Sequence, residues 1–199
     1  MKRRSFVKVL GISAYAISAS GFSLRYEGDR VVTDCKTSTD ILGPFYRAGA
    51  PYRTNLNLEN DDTSLIPLKV KGKVFGADCS KTLANITIDI WHCDQQENYD
   101  MVSKEYRCRA KINTDNNGNY WFKTAMPPPY GLRPKHIHFL IHESKNHKEL
   151  VTQLYFKGDT RIKKDNWIKY PWDEKRILDI HKNADGESEV TLDLYLEAK

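Results

Sequence analysis

The 199-residue chain lacks most of the features that mark a specialised class of protein. It has no low-complexity stretch and no internal repeat, which argues against disordered and repeat architectures. It has no Cys-x-x-Cys pair, so a zinc knuckle is not indicated. The apolar run at residues 9–20 is too short and too rich in serine and glycine for a membrane-spanning helix. What remains is a chain long enough for one domain with a proper core.

The first twenty residues combine a basic start, an apolar middle and small residues near the end. Residues 3–8, Arg-Arg-Ser-Phe-Val-Lys, resemble a twin-arginine export signal. We therefore expect residues 1–20 to be an export signal and the mature protein to work in the periplasm or outside the cell, without membrane contact. Because this segment holds four positive charges and no acid, its removal lowers the formal net charge from +5 to +1. That charge gives no reason to expect a nucleic-acid partner.

The cysteine content is low, and it leaves the redox state open. Export would place the four cysteines in a compartment where disulfides form. They are Cys35, Cys79, Cys93 and Cys108. Three full pairings are possible, the sequence does not choose among them, and buried free thiols are an equal alternative.

Short runs of alternating apolar and polar residues dominate the rest of the chain. They lie at 68–75, 86–90, 119–123, 137–141, 150–156 and 189–196. An Asp-Asn-Asn-Gly turn at 115–118 predicts a hairpin, and one short helix is expected around 172–178. We predict an all-β fold, a two-sheet β-sandwich at 67–199 with at most one or two short helices. An irregular segment, residues 21–66, is expected to wrap onto it.

The most informative segment is 133–139, which reads Arg-Pro-Lys-His-Ile-His-Phe. Side chains alternate faces along a strand, so His136 and His138 should point one way and Ile137 and Phe139 the other, toward a core. Two imidazoles on one face of a strand form a chelate for a transition metal. The alternative is a pair of solvent-facing histidines on an edge strand.

Two further segments carry candidate functional residues. Trp-His-Cys-Asp at 91–94 ends a predicted strand and enters a loop with Tyr99, where functional residues are often displayed. Three prolines at 127–129 restrict the backbone before Tyr130 and favour a fixed position for it. Other polar residues nearby fit structural roles better than ligand roles: His92, Asp94 and Asp100.

Taken in order, six motifs of the chain resemble those of the intradiol ring-cleavage dioxygenases, the catechol and protocatechuate dioxygenase family. They are Gly-Pro-Phe-Tyr at 43–46, residues 91–94 with Tyr99, the run Thr-Asp-x-x-Gly-x-Tyr-x-Phe at 114–122, Tyr130 after the prolines, residues 133–139, and Thr-Gln-Leu-Tyr-Phe at 152–156. The match covers about residues 40–160. The chain length and the export signal fit the small exported branch of the family.

The resemblance implies a β-sandwich of that family and a non-haem Fe(III) cofactor. By their place in the motifs, the metal ligands would be Tyr99, Tyr130, His136 and His138. Tyr130 would also act as a base, Gln153 would line the substrate pocket, and Arg133 would face the substrate and stabilise negative charge on it. Phenolate oxygens suit ferric iron because a trivalent cation lowers the pKa of a bound phenol strongly.

The resemblance also implies a reaction and its partners. A catechol-type substrate would be cleaved by O2 between its two oxygen-bearing carbons, giving a muconate-type dicarboxylic acid. The identity of the catechol and homo-oligomerisation stay open. Two departures concern the pocket wall: Glu97 and Asn98 stand where many members carry glycine, and only two residues separate Tyr130 from Arg133, where protocatechuate enzymes have a longer insert.

Two other functions remain as alternatives. His136 and His138 followed by Glu143 resemble half of a cupin motif, which would hold a divalent metal, although the second half of that motif is missing from the sequence. The same sandwich could also be a non-catalytic secreted binding module. The intact set of Tyr99, Tyr130 and Arg133 argues against such a module.

Overall fold

The structure is a computed structural model, and it describes residues 16–17, 23–27, 30–33, 35–56, 65–168 and 171–199. These residues form strands β1 (Ala16–Ile17), β2 (Ser23–Glu27), β3 (Arg30–Thr33), β4 (Pro67–Phe75), β5 (Thr87–Trp91), β6 (Arg109–Asn113), β7 (Asn119–Ala125), β8 (His136–Ile141), β9 (Leu150–Phe156), β10 (Ile177–Leu178), β11 (His181–Lys182), β12 (Ser188–Thr191) and β13 (Leu194–Tyr195). Two 3-10 helices span Ile162–Lys164 and Pro171–Arg176. None of the helices in these ranges is long and apolar enough to span a membrane.

The chain divides into two compact units, one ending at Cys35 and one running from Lys36 to Lys199. In the first unit, β1 pairs with β2 and β2 with β3, both antiparallel. Most of the predicted export signal, residues 1–15 and 18–20, lies outside the described residues, so it stays a prediction. Within the segment expected to be irregular, β2 and β3 are strands, whereas residues 35–56 contain only turns and isolated bridges.

The second unit contains two mixed five-stranded sheets. The first has the order β10-β9-β8-β5-β6. In the second, β4 pairs with β7, β12 and β13, and β11 flanks β12. Val70 and Phe122 of the second sheet belong to the same buried cluster as Ile88 and Phe139 of the first. Each such fully buried side chain contributes roughly 1.5–3 kcal/mol relative to exposure. The predicted two-sheet all-β fold is confirmed.

Most predicted strands appear close to their predicted positions. Those at 68–75, 86–90, 137–141 and 150–156 correspond, within one residue at each end, to β4, β5, β8 and β9. The predicted last strand is divided into β12 and β13. The expected short helix is the 3-10 helix Pro171–Arg176, which leads into β10.

The predicted hairpin at 115–118 is wrong, although the turn itself is present. The Asp115 carboxylate accepts hydrogen bonds from the N–H groups of Asn117 and Asn119, each at 2.8 Å, and Gly118 takes a φ of 76°. However, the flanking strands β6 and β7 belong to different sheets, and β7 pairs with β4 instead. Turn residues determine a local reversal of the chain, whereas the partner of β7 follows from burial of its apolar face.

The four cysteines are neither all disulfide-bonded nor all free. Cys35 and Cys79 are disulfide-bonded, while Cys93 and Cys108 carry free thiols. Burial raises the pKa of Cys93 to about 12 and that of Cys108 to about 11. Both thiols are therefore protonated at neutral pH and poorly nucleophilic.

Strand β8 positions the candidate site. It is the central strand of the first sheet, and all six of its residues are buried. Ile137, Phe139 and Ile141 belong to the core cluster, and His136 and His138 lie on the opposite face. The predicted alternation is confirmed. The alternative of solvent-facing histidines on an edge strand is wrong, because β5 and β9 flank the strand and both histidines are less than 5% exposed.

Candidate active site

The hydroxyl of Tyr99 lies between the two histidines of β8. Its oxygen is 3.1 Å from Nε2 of His136 and 3.2 Å from Nε2 of His138. The two imidazole rings have centroids 4.8 Å apart and cross at 71°. One phenol oxygen and two ring nitrogens, all potential metal ligands, therefore converge on one small volume.

The surroundings of the histidines aim their Nε2 atoms at Tyr99. Nδ1 of His136 is 2.7 Å from the carbonyl oxygen of Pro134, which can only accept, so the proton of His136 resides on Nδ1 and its Nε2 carries a lone pair. The ring of His138 stacks on Trp91 at 4.7 Å. Burial lowers the pKa of His136 to about 4 and that of His138 well below its usual value. Both rings are therefore neutral at pH 7, the form that binds a metal.

Hydrogen bonds among Tyr99, His136 and His138 leave some of their donor atoms unpaired, and a metal ion would use more of these atoms. Burial raises the pKa of Tyr99, so without a cation its hydroxyl keeps its proton. One proton can serve only one of the two Nε2 atoms at a time. In addition, Nδ1 of His138 is buried without a partner in the described part of the chain. A cation contacted by all three atoms would use both nitrogen lone pairs and lower the pKa of the phenol.

Tyr130 lies beside this cluster on the turn after the three prolines. The N–H of Arg133 donates to the carbonyl of Tyr130 at 2.9 Å, and Gly131 takes a φ of 54°. The Tyr130 ring meets the edge of Tyr99 at 5.2 Å, and Phe45 packs against both, stacked on Tyr99 at 4.5 Å and edge-on to Tyr130 at 5.4 Å. The hydroxyl of Tyr130 makes no hydrogen bond to any described residue. The structure thus places Tyr130 next to the predicted site without bringing its oxygen into contact with the histidines.

The loop that carries Tyr99 is held by two aspartates. Asp94 accepts hydrogen bonds from the N–H groups of Gln96 and Asn98, and Asp100 accepts one from the N–H of Ser103. The buried Arg109 donates from Nε to the carbonyl of Asp100 at 2.6 Å. As expected from the sequence, both aspartates serve the turns of the loop.

Glu97 connects the two tyrosine loops. Its φ of 60° lies in the left-handed region, which favours glycine. Its carboxylate accepts a hydrogen bond from the N–H of Gly131 at 3.2 Å. This departure from the family pattern therefore adds a contact between the loop of Tyr99 and the turn of Tyr130.

Arg133 and Gln153 lie together beside the histidines. Arg133 donates from Nη2 to Oε1 of Gln153 at 3.0 Å and to the hydroxyl of Tyr155 at 2.7 Å, and its Nε donates to the carboxylate of Asp165. In the pairing of β8 with β9, Gln153 is the partner of His138. The structure thus brings Arg133 and Gln153 together.

Sequence reasoning missed the residues that surround Arg133. Tyr155 is not among the residues predicted for the site, although its period-two relation to Gln153 on β9 indicates the site face. Asp165 and Asp40 gave no local signal. They reach the site through ion pairs and hydrogen bonds to residues distant in the sequence.

His92 is a structural residue. Its Nδ1 is 2.7 Å from the carbonyl oxygen of Cys93, and its Nε2 is 2.7 Å from the hydroxyl of Thr124. Nδ1 must donate to the carbonyl, so Nε2 accepts from the hydroxyl. Both nitrogens are satisfied and neither is available to a metal.

We expect His92 to make the fold sensitive to acid. Burial lowers its pKa from 6.5 to about 4, so between these pH values the unfolded chain binds a proton that the folded chain does not. This contribution to the free energy of unfolding is complete above pH 6.5 and is lost as the pH falls toward 4, by about 3 kcal/mol in total. Urea unfolding across this range should show a smaller loss for His92→Gln than for the wild type. Equal losses in the two proteins would contradict the assignment.

The cupin alternative finds no support in the geometry. Glu143 is exposed, and its carboxylate is 3.3 Å from Nζ of Lys199. Within the described residues, no group of three or more His, Cys, Asp and Glu side chains is arranged to hold a metal. The two histidines of β8 are joined by a tyrosine instead.

Comparisons with known proteins show which family the chain is similar to. A family model described as dioxygenase matches residues 41–133 and 131–198. The chain is 31% identical over 160 residues to catechol 1,2-dioxygenase 2 of Acinetobacter lwoffii, covering 69% of this chain and 54% of that protein. It is 31% identical over 179 residues to chlorocatechol 1,2-dioxygenase of Pseudomonas putida, covering 79% and 66%. The chain thus spans about half to two thirds of the length of these curated relatives.

Solved structures show the same fold. The dioxygenase domain of a dioxygenase–carbohydrate-binding protein fusion from the cellulolytic bacterium Streptomyces sp. SirexAA-E superposes with a TM-score of 0.70 at 30% identity, covering 82% of this chain and 99% of that one. The 3-chlorocatechol 1,2-dioxygenase of Rhodococcus opacus 1CP gives a TM-score of 0.72 at 26% identity, covering 83% and 75%. With the family model spanning most of the second unit, the chain belongs to the intradiol ring-cleavage dioxygenase family.

Proposed function

We propose that this protein is an Fe(III)-dependent enzyme that cleaves a catechol-type ring with O2 between its two oxygen-bearing carbons, giving a muconate-type dicarboxylic acid. The observation that carries the proposal is the convergence of Tyr99 Oη with the Nε2 atoms of His136 and His138 at 3.1 and 3.2 Å. Relatives named catechol and chlorocatechol 1,2-dioxygenases support the choice of substrate class.

Four side chains would hold the iron. Tyr99, His136 and His138 present their donor atoms to one point, and Tyr130 on the adjacent turn would supply the fourth donor. When bound, the ferric ion would act as a Lewis acid that activates the catechol oxygens and the ring toward O2. Two phenolates would offset much of the ion's charge, which reduces the cost of burying it.

The remaining residues would bind the substrate and handle its charge. Tyr130 would accept a proton from a catechol hydroxyl. Arg133 would stabilise negative charge that develops on the ring. Gln153, held by its donation to the carbonyl of Ile41 at 3.0 Å, would line the pocket. The stacked rings of Phe45 and Tyr99 shield the cluster on one side.

Oxygen uptake by iron-loaded protein with a panel of catechols tests the proposal. We expect reddish-brown protein, one equivalent of O2 consumed per catechol, and growth of muconate absorbance. Colourless protein with zinc at full occupancy would contradict the iron assignment. Iron-loaded protein that consumes no O2 with unsubstituted, chlorinated or alkylated catechols would contradict ring cleavage and favour a binding module.

Export by the twin-arginine route stays a prediction from residues 3–8.

A further inference from the structure

We propose that Asp165 is a positioning residue for Arg133: together with Tyr155 it fixes the guanidinium so that Nη1 alone is free to face the substrate. The inference rests on the proposed function, because it assigns a role within that reaction. It goes beyond the resemblance, which placed an arginine at the substrate and gave no account of what holds it.

The contacts of Arg133 define the direction of its free nitrogen. Nε donates to Asp165, and Nη2 donates to the hydroxyl of Tyr155 at 2.7 Å and to Gln153 at 3.0 Å. Nη1 has no partner within the described part of the chain. A guanidinium is planar with its donors in a fixed fork, so holding Nε and Nη2 determines where Nη1 points.

The hydroxyl of Tyr155 can only act as an acceptor toward Arg133. Its oxygen is 2.7 Å from the carboxylate of Asp40 and 3.0 Å from Oε1 of Gln153, and both of these only accept. The one phenol proton goes to Asp40, the nearer and charged acceptor. Asp40 in turn forms a buried ion pair with Arg176, which also contacts Asp173 at 2.9 Å. This chain of contacts gives the hydroxyl of Tyr155 a defined orientation, with its lone pairs available to Nη2.

Asp165 is itself held in place, and Arg133 is the one charged partner of its carboxylate among the described residues. Its Oδ1 accepts a hydrogen bond from the N–H of Trp167 at 2.8 Å, and its own N–H donates to the carbonyl of Ile162 at 3.2 Å. Its side chain is 0% exposed, against 20% for Arg133. A buried carboxylate that donates no proton and meets one guanidinium forms a charge-assisted bond, the strongest class of side-chain hydrogen bond.

The expected effect of losing this bond is on turnover. Asp165→Asn keeps the shape of the side chain and removes its charge, so Nε loses its charge-assisted bond and the guanidinium can turn about the contacts that Nη2 keeps. A displacement of about 1 Å in a group that acts on the transition state can cost about 100-fold in rate. We expect kcat to fall by about 10- to 100-fold with KM changed less than about threefold, because Arg133 acts on charge that develops during the reaction. Iron content and the visible spectrum should match the wild type.

Two variants separate positioning from general damage. Asp179→Asn makes the same chemical change in the ion pair with Lys157, where both side chains are more than half exposed, and should leave kcat unchanged. Tyr155→Phe removes only the hydroxyl that accepts from Nη2 and should also lower kcat about tenfold or more. It keeps the proposal testable if Asp165→Asn does not fold.

A double-mutant cycle tests whether Asp165 acts through Arg133. Lysine at position 133 keeps the charge and loses the fork. If Asp165 only orients the guanidinium, adding Asp165→Asn to Arg133→Lys should lower kcat less than about twofold further. A second full loss, equal to that of Asp165→Asn alone, would overturn the proposal.

A measurement independent of turnover distinguishes failure of this inference from failure of the proposed function. In gallium-loaded protein, which is diamagnetic, the Arg133 Nε–H resonance should be resolved and slow to exchange, should lose that protection in Asp165→Asn, and should keep it in Asp179→Asn. Fast exchange of the Arg133 Nε–H in the wild type would overturn the proposal that Asp165 fixes the guanidinium. A wild-type kcat in folded Asp165→Asn would overturn its role while leaving ring cleavage standing. A protected resonance in a protein that cleaves no catechol would refute the proposed function and, with it, the role assigned here.

Discussion

Replacing Tyr99 with phenylalanine should weaken and shift the colour of the iron-loaded protein and lower ring cleavage by at least about 100-fold. Among the described residues, the Tyr99 hydroxyl is the one oxygen that contacts both Nε2 atoms of the histidine pair. Its loss would leave two neutral imidazoles and the single phenolate of Tyr130 to hold a trivalent cation, one anionic donor fewer than the proposed set.

The fold should tolerate this change. Tyr99 packs through its ring, stacked on Phe45 at 4.5 Å and edge-on to Tyr130 at 5.2 Å, and phenylalanine keeps both contacts. The metal-free variant should therefore unfold within about 1.5 kcal/mol of the wild type in urea. Iron content, visible absorbance and O2 uptake measure the loss of function.

Tyr120→Phe is the matched control. It also deletes one buried hydroxyl, which donates to the carbonyl of Leu192 at 2.6 Å in the core of the second sheet. This variant should lose about 1 kcal/mol of stability and keep its colour and kcat. Should Tyr99→Phe retain wild-type absorbance and turnover, Tyr99 is no ligand and the proposed iron site is wrong.

The strands and the histidine pair were predictable because their signals are local. The alternation in 133–139 places His136 and His138 on one face without reference to any other part of the chain. Tyr99 and Tyr130 are different, since spacing alone could not select them among the chain's 11 tyrosines. The order of the family's motifs selected them, and the structure brings Tyr99 to the histidines and Tyr130 to its edge.

The elements that escaped prediction depend on distant partners. β6 was missed because its five residues include only two apolar side chains, Ala110 and Ile112. Arg109 at its start is buried and donates to the carbonyl of Asp100, a contact that no local pattern reveals. The charged residues around Arg133 also depend on distant partners. Asp40 and Arg176, which support Tyr155, are separated by 136 positions. No periodicity within a window of the sequence reports such a pair. The charged framework of the site therefore becomes visible only in three dimensions.

Phe139 and His138, neighbours on β8, should separate stability from activity when each is replaced. Phe139 is 0% exposed, and its ring lies 6.1 Å from that of Phe122 and 6.3 Å from that of Tyr120. Phe139→Ala opens a cavity between the two sheets and should lower the free energy of unfolding by about 3–5 kcal/mol. The folded variant should keep its iron and its colour, because Phe139 faces away from the histidines.

His138→Leu should keep the stability of the fold and lose the metal site. Leucine fills a similar volume against Trp91, on which the imidazole stacks at 4.7 Å, and it removes a buried Nδ1 that has no partner in the described part of the chain. Replacing an unsatisfied polar group with an apolar one of similar shape is close to neutral, so metal-free His138→Leu should unfold within about 1.5 kcal/mol of the wild type. Its iron binding and ring cleavage should be lost. Urea unfolding of the metal-free proteins, with absorbance and O2 uptake of the loaded ones, measures both effects. If Phe139→Ala were as stable as the wild type, the inner face of β8 would not carry the core. If His138→Leu kept its colour and activity, the outer face would not carry the metal site.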